Sequence, residues 1–127
     1  MPYYPFTFTG DRDTDLATTD AYADVPLTTI DDAARQVYFQ STSSGPISVN
    51  WKNTGAQTIK TKVLGSNDYT LADADWDTAA AEATIAAGAS RHVEIDLAQY
   101  CFYKFQHAAN AAGLQGASSL KGAQKRI

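Results

Sequence analysis

Few side chains in this 127-residue chain belong to types that carry catalytic chemistry. Histidine is the usual base that activates a hydrolytic nucleophile, and the chain has two, His92 and His107. His92 alternates with Glu94 and Asp96 along a strand pattern, which favours an exposed polar residue beside carboxylates. His107 ends an apolar run, which favours a hydrogen-bonded histidine at the edge of the core. We therefore predict no catalytic residue and no enzymatic activity.

Two groups of alternating aspartates, "DRDTD" at 11–15 and "DADWD" at 73–77, share the acid spacing of a calcium loop. Neither continues as an EF-hand, because Tyr22 and Thr84 stand where the last loop position requires glutamate, and the central glycine is also missing. Solvated loop acids are the favoured interpretation, and a structural Ca²⁺ ion is the alternative. The sequence contains no Gly-rich phosphate loop and no dinucleotide fingerprint, so no cofactor is expected.

Cys101 has no second cysteine with which to form an internal disulfide. It lies among Tyr100, Phe102 and Tyr103, a setting that predicts a buried and unreactive thiol. No Cys/His cluster with metal-ligand spacing occurs in the sequence, so no metal ligand is predicted.

The charge of the chain argues against one class of partner. The formal net charge is -4 and the sequence pI is near 4.9, whereas duplex nucleic acid selects broad basic surfaces. Direct nucleic-acid binding is therefore not expected. Residues 1–34 hold seven aspartates against Arg12 alone, a net charge of -6 that leaves +2 for the remainder. Opposite charge at the two ends favours head-to-tail self-association or docking on two unlike surfaces, and two solvated termini are the alternative.

No window of the sequence approaches the ~20 apolar residues of a membrane span, so no membrane partner is expected. The start "MPYYPFTFTG" lacks the basic and continuous apolar regions of a secretory signal. We expect synthesis in a cytoplasm, with any later exposure through release of an assembled particle.

Alternation of apolar and polar residues indicates strands along most of the chain. Residues 1–20 are predicted to form an extended N-terminal arm, because two prolines bracket two tyrosines and "FTFT" alternates up to Gly10. A short edge strand is expected within 21–27. Strands with one buried face are predicted at "QVYFQ", "ISVNW", "TIKTKV", "RHVEIDL", "YCFYKFQH" and "SLKGAQKRI". The stretch "DADWDTAAAEA" predicts one short helix, since its alanines favour helix and its acids suit a first turn.

The spacing of these strands predicts the fold class. Asn53 and Gly55 tolerate positive φ, so the stretch between "ISVNW" and "TIKTKV" predicts a hairpin turn. Strands about ten residues apart favour an antiparallel meander over βαβ units. We therefore predict an all-β protein, an antiparallel and jelly-roll-like β-sandwich at 21–127, with the arm at 1–20 and at most one short helix.

Aromatic residues are the remaining candidates for binding, because their rings stack on sugars and fill pockets at protein interfaces. Trp51 follows the inward Ile47 and Val49, so it is assigned to the core. Trp76 lies in an acidic connection and is a candidate partner-contact residue. The arm has too little sequence to bury its rings against itself, so it folds back on the domain or packs on a neighbouring subunit. Its candidate contact residues are Tyr3, Tyr4, Phe6 and Phe8.

Two runs, "ISVNWKNTGAQTIKTKVLGSNDYT" and "ATIAAGASRHVEIDLAQYCFYKFQHAANAAG", carry a family resemblance. Over residues 36–112 the chain resembles the small β-sandwich structural proteins of tailed bacteriophage virions, which include capsid decoration, head-fibre and minor tail components. The matching features are the turn at 53–55, the segment 62–66, Asp68, the step at 86–90 and the aromatic-basic-aromatic run at 103–105. Such proteins act by contact, so the resemblance transfers no catalytic residue. Similar sandwiches also occur as carbohydrate-binding modules.

The resemblance implies a non-enzymatic virion structural protein, above all a capsid decoration protein that stabilises the shell through subunit contacts. Its expected location is the virion, after synthesis in the host cytoplasm. The expected partners are the major capsid protein or other virion proteins, together with further copies of the chain in a homo-oligomer. The alternatives are a tail or neck component, and a glycan-binding module for host attachment with Trp76 and exposed tyrosines as its platform.

Overall fold

The computed structural model describes residues 6–12, 22–29, 37–41, 43–110 and 117–125. These residues form ten β-strands and a 3-10 turn at Asp73–Asp75. The strands are β1 (Phe6–Arg12), β2 (Ala23–Asp24), β3 (Leu27–Thr29), β4 (Phe39–Gln40), β5 (Ile47–Asn53), β6 (Ile59–Ser66), β7 (Asp77–Ile85), β8 (Ser90–Ile95), β9 (Phe102–Ala109) and β10 (Ser118–Gln124). Across this described part of the chain, no helix is long and apolar enough to cross a membrane.

The strands form two antiparallel sheets that pack face to face. Sheet A has the order β3-β1-β10-β5-β8, and sheet B has the order β2-β9-β6-β7, with β4 also pairing with β9. From β5 onward the chain passes from sheet A to sheet B for β6 and β7, returns to A for β8, and then crosses to B for β9 and back to A for β10. This alternation, with β1 and β10 paired inside sheet A, is a jelly-roll arrangement. The prediction of an all-β, jelly-roll-like antiparallel sandwich is confirmed.

Strand β5 illustrates why the sequence forms this sandwich. Ile47, Val49 and Trp51 are fully buried, whereas Ser48 is half-buried and Asn50 and Lys52 are exposed. Successive side chains of a strand point to opposite faces, so this alternation places the apolar set between the sheets. Each large apolar side chain that is fully buried contributes about 1.5–3 kcal/mol relative to exposure.

Aromatic rings from both sheets meet at the centre of the core. The Phe8 ring centroid lies 4.3 Å from that of Phe39 and 5.4 Å from that of Phe105. Trp51 meets Phe105 edge to face, with 5.8 Å between the ring centroids. Offset and edge-to-face arrangements of this kind add to the free energy that comes from burial alone.

The predicted N-terminal arm is in part a strand of the sandwich. Residues 6–12 form β1, which pairs with β10 on one side and β3 on the other, and Phe8 is only 1% exposed. Tyr3 and Tyr4 lie outside the described residues, and of Phe6 only the backbone is described. The partner β10 is at the other end of the chain, so no local pattern reveals this pairing.

The predicted helix is wrong. Residues 77–85 form strand β7, and only Asp73–Asp75 make a single 3-10 turn. The strand pairs with β6 from Gly65↔Asp77 to Ile59↔Ile85, with two register shifts along the way. Helix propensity differs among ordinary residues by less than about 0.7 kcal/mol per position, so pairing with β6 and burial of Ile85 outweigh the alanine run.

The predicted hairpin after β5 is also wrong, because β5 and β6 lie in different sheets. The connection crosses the sandwich, and the side chain of Asn53 holds it. Its Nδ2 donates to the carbonyls of Gln57 (2.7 Å) and Ile85 (2.9 Å), and its Oδ1 accepts from the Gly55 amide. Gly55 was expected to adopt a positive φ angle. Among the described residues, the glycine with a positive φ is Gly88, at 75°, so Gly55 does not adopt that conformation.

Three apolar or thiol side chains predicted to face inward are exposed. Val37 precedes the start of β4 and Leu97 follows the end of β8, so both lie beyond the alternation that buries their strands. Cys101 immediately precedes β9 and is exposed, which corrects the prediction of a buried thiol.

We expect Gly122→Ala to destabilise the fold strongly. A Cβ at this position would come within 2.2 Å of the Phe8 ring, and β10 and β1 are paired here, so neither strand has room to retreat. Overpacking of this kind costs about 1–3 kcal/mol. Chemical denaturation of both proteins measures the difference. Gly88→Ala is the control, because nothing lies near its added Cβ and only the positive φ, worth about 1 kcal/mol, opposes it. Equal stability of Gly122→Ala and the unmodified chain would contradict this packing.

Candidate functional site

The connection between β6 and β7, here called loop 67–76, is held by its own hydrogen bonds. Asp68 Oδ1 accepts from the backbone amide of Thr70 (2.9 Å) and from its hydroxyl (2.6 Å). Ser66 Oγ accepts from the Asp68 amide and donates to the Asp68 carbonyl, each at 3.0 Å. Asn67 Oδ1 accepts from the amide of Cys101, which ties the loop to the start of β9. The loop therefore has a defined conformation on one face of sheet B.

A polar network fastens this loop to sheet B. Lys104 Nζ lies 2.7 Å from Asp73 Oδ1 and 3.8 Å from Asp24 Oδ2. Gln106 Nε2 donates to Asp73 Oδ2 and to Asp24 Oδ1, both at 2.8 Å. Partial burial opposes ionisation of Asp73, but the hydrogen bonds from Lys104 and Gln106 outweigh it and hold the pKa of Asp73 below its usual value. Lys104 and Gln106 are buried, although both are polar and alternate with Tyr103, Phe105 and His107 along β9, and both are hydrogen-bonded to Asp73 of the loop.

Trp76, at the end of the loop, anchors it. The indole is only 5% exposed, and its Nε1 donates to the Leu71 carbonyl at 3.1 Å. The ammonium of Lys104 lies 4.7 Å from the centroid of the Trp76 ring, within the range of a cation–π interaction. Trp76 is therefore a buried anchor rather than the open aromatic surface that its place in an acidic connection suggested.

Three other rings form a partly exposed aromatic cluster, here called the aromatic patch and made of the half-buried Tyr38 and Phe102 and the exposed Tyr69. Tyr38 and Tyr69 are stacked with ring centroids 5.3 Å apart, and the edge-to-face distances to Phe102 are 5.2 Å from Tyr38 and 5.3 Å from Tyr69. Tyr69 is 52% exposed, and the neighbours in sequence Val37 and Leu71 are 42% and 38% exposed. The patch is thus an apolar surface whose rings support one another.

The patch differs from the contact residues predicted from the sequence. Of that set, Phe8 is in the core and Trp76 is an anchor, while Tyr3, Tyr4 and the Phe6 side chain lie outside what the structure describes. The patch rings come from three separate segments: the residue before β4, loop 67–76 and the first residue of β9. One local signal points to Tyr69, which sits among turn-forming residues in "GSNDYT" where no strand alternation accounts for a large ring.

His107 and Ser118 form a buried pair between the sheets. His107 Nδ1 lies 2.6 Å from Ser118 Oγ, both residues are buried, and no described residue hydrogen-bonds to His107 Nε2. Burial, and secondly the Arg12 guanidinium, lowers the pKa of His107 to about 4, so the imidazole is neutral at pH 7. A neutral imidazole beside a hydroxyl has the chemistry of a base and a nucleophile, but burial leaves it out of reach of a substrate. The predicted hydrogen bond is present at Nδ1, but His107 is fully buried rather than at the edge of the core.

His92 is exposed, as expected. Its Nε2 lies 3.3 Å from Glu94 Oε2, and its Nδ1 lies 3.0 Å from Asn50 Oδ1. These contacts lie on the open face of sheet A, with no adjoining serine or cysteine among the described contacts of His92. They stabilise neighbouring strands rather than form a catalytic group.

The aspartate clusters do not converge where they are described. Residues 13–15 of "DRDTD" lie outside the described segments. In "DADWD", Asp73 binds Lys104 and Gln106, while Asp77 Oδ2 accepts a hydrogen bond of 3.0 Å from the Tyr100 hydroxyl. Within the described segments, no three His, Cys, Asp or Glu side chains come together as metal ligands.

Comparison with known proteins supports the fold and no further assignment. No family model matches the sequence, and no curated protein does so either. Among solved structures, the chain is similar to the crystal structure of PirA, with a TM-score of 0.52, 10% sequence identity and 93% of each chain covered. It is also similar to the Bacillus endospore appendages, a family of disulfide-linked pili, with a TM-score of 0.44, 11% identity, 98% of this chain and 92% of that chain covered. The likeness to PirA extends over nearly the whole chain and shows the β-sandwich fold alone.

Proposed function

We propose that this chain is a non-enzymatic structural protein of a tailed bacteriophage virion, most specifically a capsid decoration protein, and that it binds a neighbouring virion protein through the aromatic patch. The observation that carries the contact function is the partly exposed cluster of Tyr38, Tyr69 and Phe102, of which Tyr69 lies on the hydrogen-bonded loop 67–76. The resemblance of residues 36–112 to virion sandwiches supports the choice of the phage particle.

The composition of the patch suits a protein partner. Tyrosine is among the residues that dominate binding energy at protein interfaces, because it adds large contact area for little loss of side-chain freedom. Here Tyr38 and Tyr69 are already stacked against each other, so little further ordering is needed on binding. Val37 and Leu71, close to Tyr38 and Tyr69 in the sequence, are exposed aliphatic residues, and apolar side chains of this kind favour a protein surface over a sugar.

The acidic loop that carries Tyr69 indicates the charge of that partner. Loop 67–76 contains three aspartates and no lysine or arginine. Asp68 and Asp75 are exposed, and hydrogen bonds from Thr70 lower the pKa of Asp68, so its carboxylate is ionised at neutral pH. Complementary charge across an interface steers association, so we propose a partner surface with an apolar centre and a basic rim.

A small patch is sufficient for a protein that acts in many copies. Each contact alone is weak, but copies joined in a homo-oligomer or arrayed on a shell bind with greater avidity than one contact provides. The major capsid protein is the proposed partner, and other virion proteins of the neck or tail are the nearest alternatives.

We expect Tyr69→Ala to reduce the amount of this protein on purified virions by about tenfold or more, the loss typical of an interface hot spot. The measurement is quantitative blotting of density-purified particles after incubation with the purified chain. Leu97→Ala is the matched control, because Leu97 is also 52% exposed and lies outside the patch. A chain that is missing from purified virions contradicts the particle assignment, and equal retention of Tyr69→Ala and the unmodified chain contradicts the patch.

A further inference from the structure

Strand β8 is an edge of sheet A, and β7 is an edge of sheet B. Along this side of the sandwich, the two edges are joined at one end and separated at the other. At the joined end, Arg91 of β8 reaches across to sheet B, where Nη1 donates to the Thr61 carbonyl at 3.1 Å and Nη2 to the Ala81 carbonyl at 2.8 Å. At the open end, near Ile95, a cleft of about 160 Å³ enters between the sheets. Ala79, Ile95 and Tyr100, which pack against the core and are only partly buried, line this cleft.

The cleft is lined by residues of mixed polarity. Thr78 of β7 and Gln99 contribute a hydroxyl and an amide, whereas Ile95 and Leu97 contribute aliphatic surface. Tyr100 and Tyr103 add two rings, whose centroids are 6.0 Å apart and whose planes are nearly perpendicular.

Tyr100 is fixed in place before any ligand binds. Its ring packs on the backbone at Gly65, where an added Cβ would come within 2.4 Å of the ring. Its hydroxyl donates to Asp77 Oδ2 at 3.0 Å, and its backbone amide donates to the Tyr103 hydroxyl at 3.2 Å. A wall held in this way loses little freedom on binding, which is the basis of preorganised recognition.

The charge of the lining restricts the class of ligand. Its side chains are those of threonine, alanine, isoleucine, leucine, glutamine and tyrosine, which are uncharged at neutral pH. The neighbouring carboxylate of Asp77 is engaged by the Tyr100 hydroxyl and repels anions. A phosphate or carboxylate ligand therefore has no cation to bind, and a neutral ligand is favoured.

The volume restricts the size of ligand. At roughly 30 Å³ for each water molecule, the cleft holds about five waters' share of liquid volume. It is about half of the roughly 300 Å³ of the smallest drug-sized sites. A ligand of this size is a single ring, and a hydroxylated six-membered ring has both hydrogen-bonding edges to match Thr78 and Gln99 and apolar faces to match the aliphatic and aromatic walls.

We propose that the cleft between β7 and β8 is a binding site for a single neutral sugar ring, with Thr78 and Gln99 as its hydrogen-bonding residues. This site is separate from the aromatic patch, since it opens between the sheet edges and shares no residue with the patch. The proposal does not depend on the virion assignment.

The test uses the full chain and the methyl glycosides of glucose, galactose, mannose and N-acetylglucosamine. Titration followed by amide chemical shifts is expected to give saturable changes at the cleft residues with at least one glycoside. The double variant Thr78→Val with Gln99→Ala is expected to raise the Kd for the glycoside by about tenfold or more. Both residues are exposed, and the variant removes their neutral hydrogen bonds to the sugar. Thr84→Val is the matched control, because Thr84 is exposed on the same strand outside the cleft.

A glycan array that presents the same sugars as terminal residues separates the two sources of this ligand. Binding to the array that the double variant loses assigns the cleft to the end of a glycan, and binding to free glycosides alone assigns it to a monosaccharide. Absence of saturable shifts with all four glycosides overturns the proposal. So does binding that Tyr69→Ala abolishes and the double variant leaves intact, because the sugar would then lie on the aromatic patch.

Discussion

Acidification from pH 6.5 to about 4 is expected to lower the free energy of unfolding by about 3 kcal/mol through His107 alone. In the unfolded chain the pKa of His107 is 6.5, whereas in the folded chain burial lowers the pKa to about 4. The unfolded state therefore binds more protons between these values. The contribution of neutral His107 is complete above pH 6.5 and is lost as the pH falls through this window.

Urea unfolding at a series of pH values measures this loss. His107→Gln keeps a polar side chain beside Ser118 and has nothing to titrate, so its stability is expected to change much less across the same window. The pKa of Asp73 is held below its ordinary value of 3.8, so the loss of its interactions falls mostly at lower pH. Parallel pH profiles for His107→Gln and the unmodified chain contradict the buried neutral histidine.

Replacing Phe8 by alanine is expected to destabilise the protein by about 3–5 kcal/mol, the range for a large aromatic side chain removed from a packed core. The Phe8 ring contacts Phe39 and Phe105 and fills the space left by Gly122, so its loss opens a cavity between the sheets. The measurement is the free energy of unfolding from chemical denaturation.

This substitution separates two descriptions of the N-terminal segment. A flexible arm that folds outside the sandwich loses almost no stability on truncation of one ring, whereas a strand between β3 and β10 loses a core residue. Thr7→Ala and Thr9→Ala are the controls, because both side chains are exposed on the same strand and surface changes usually stay within about 0.5 kcal/mol. A Phe8→Ala protein as stable as these controls shows that residues 6–12 are an arm.

The two proposed binding sites lie at the surface, one beside loop 67–76 and one between the sheet edges. The aromatic patch rests on loop 67–76, whose anchors Trp76, Lys104 and Gln106 are buried beneath it. The sugar cleft lies where the edges of the two sheets separate. Binding residues are commonly found on loops and sheet edges that a rigid sandwich holds in place, because side chains at these positions do not have to pack in the core.

The local pattern of the sequence determines most of the strands, such as β5 and β8, and which of their faces is buried. Ile47, Val49 and Trp51 alternate with polar residues, and the same alternation in β6, β8 and β10 predicts the sandwich. The reason is that the period of a strand is a property of consecutive residues, so it can be recognised without knowledge of any partner.

Contacts between distant segments determine what the pattern cannot show. Phe8 belongs to the core only because β1 pairs with β10, and residues 77–85 are a strand only because β6 lies beside them. Trp76 is buried because loop 67–76 folds back on sheet B, and the aromatic patch exists because three separate segments end at the same place. Burial and proximity of this kind depend on residues far apart in the chain, so they follow from the packing of the two sheets and not from the order of neighbouring amino acids.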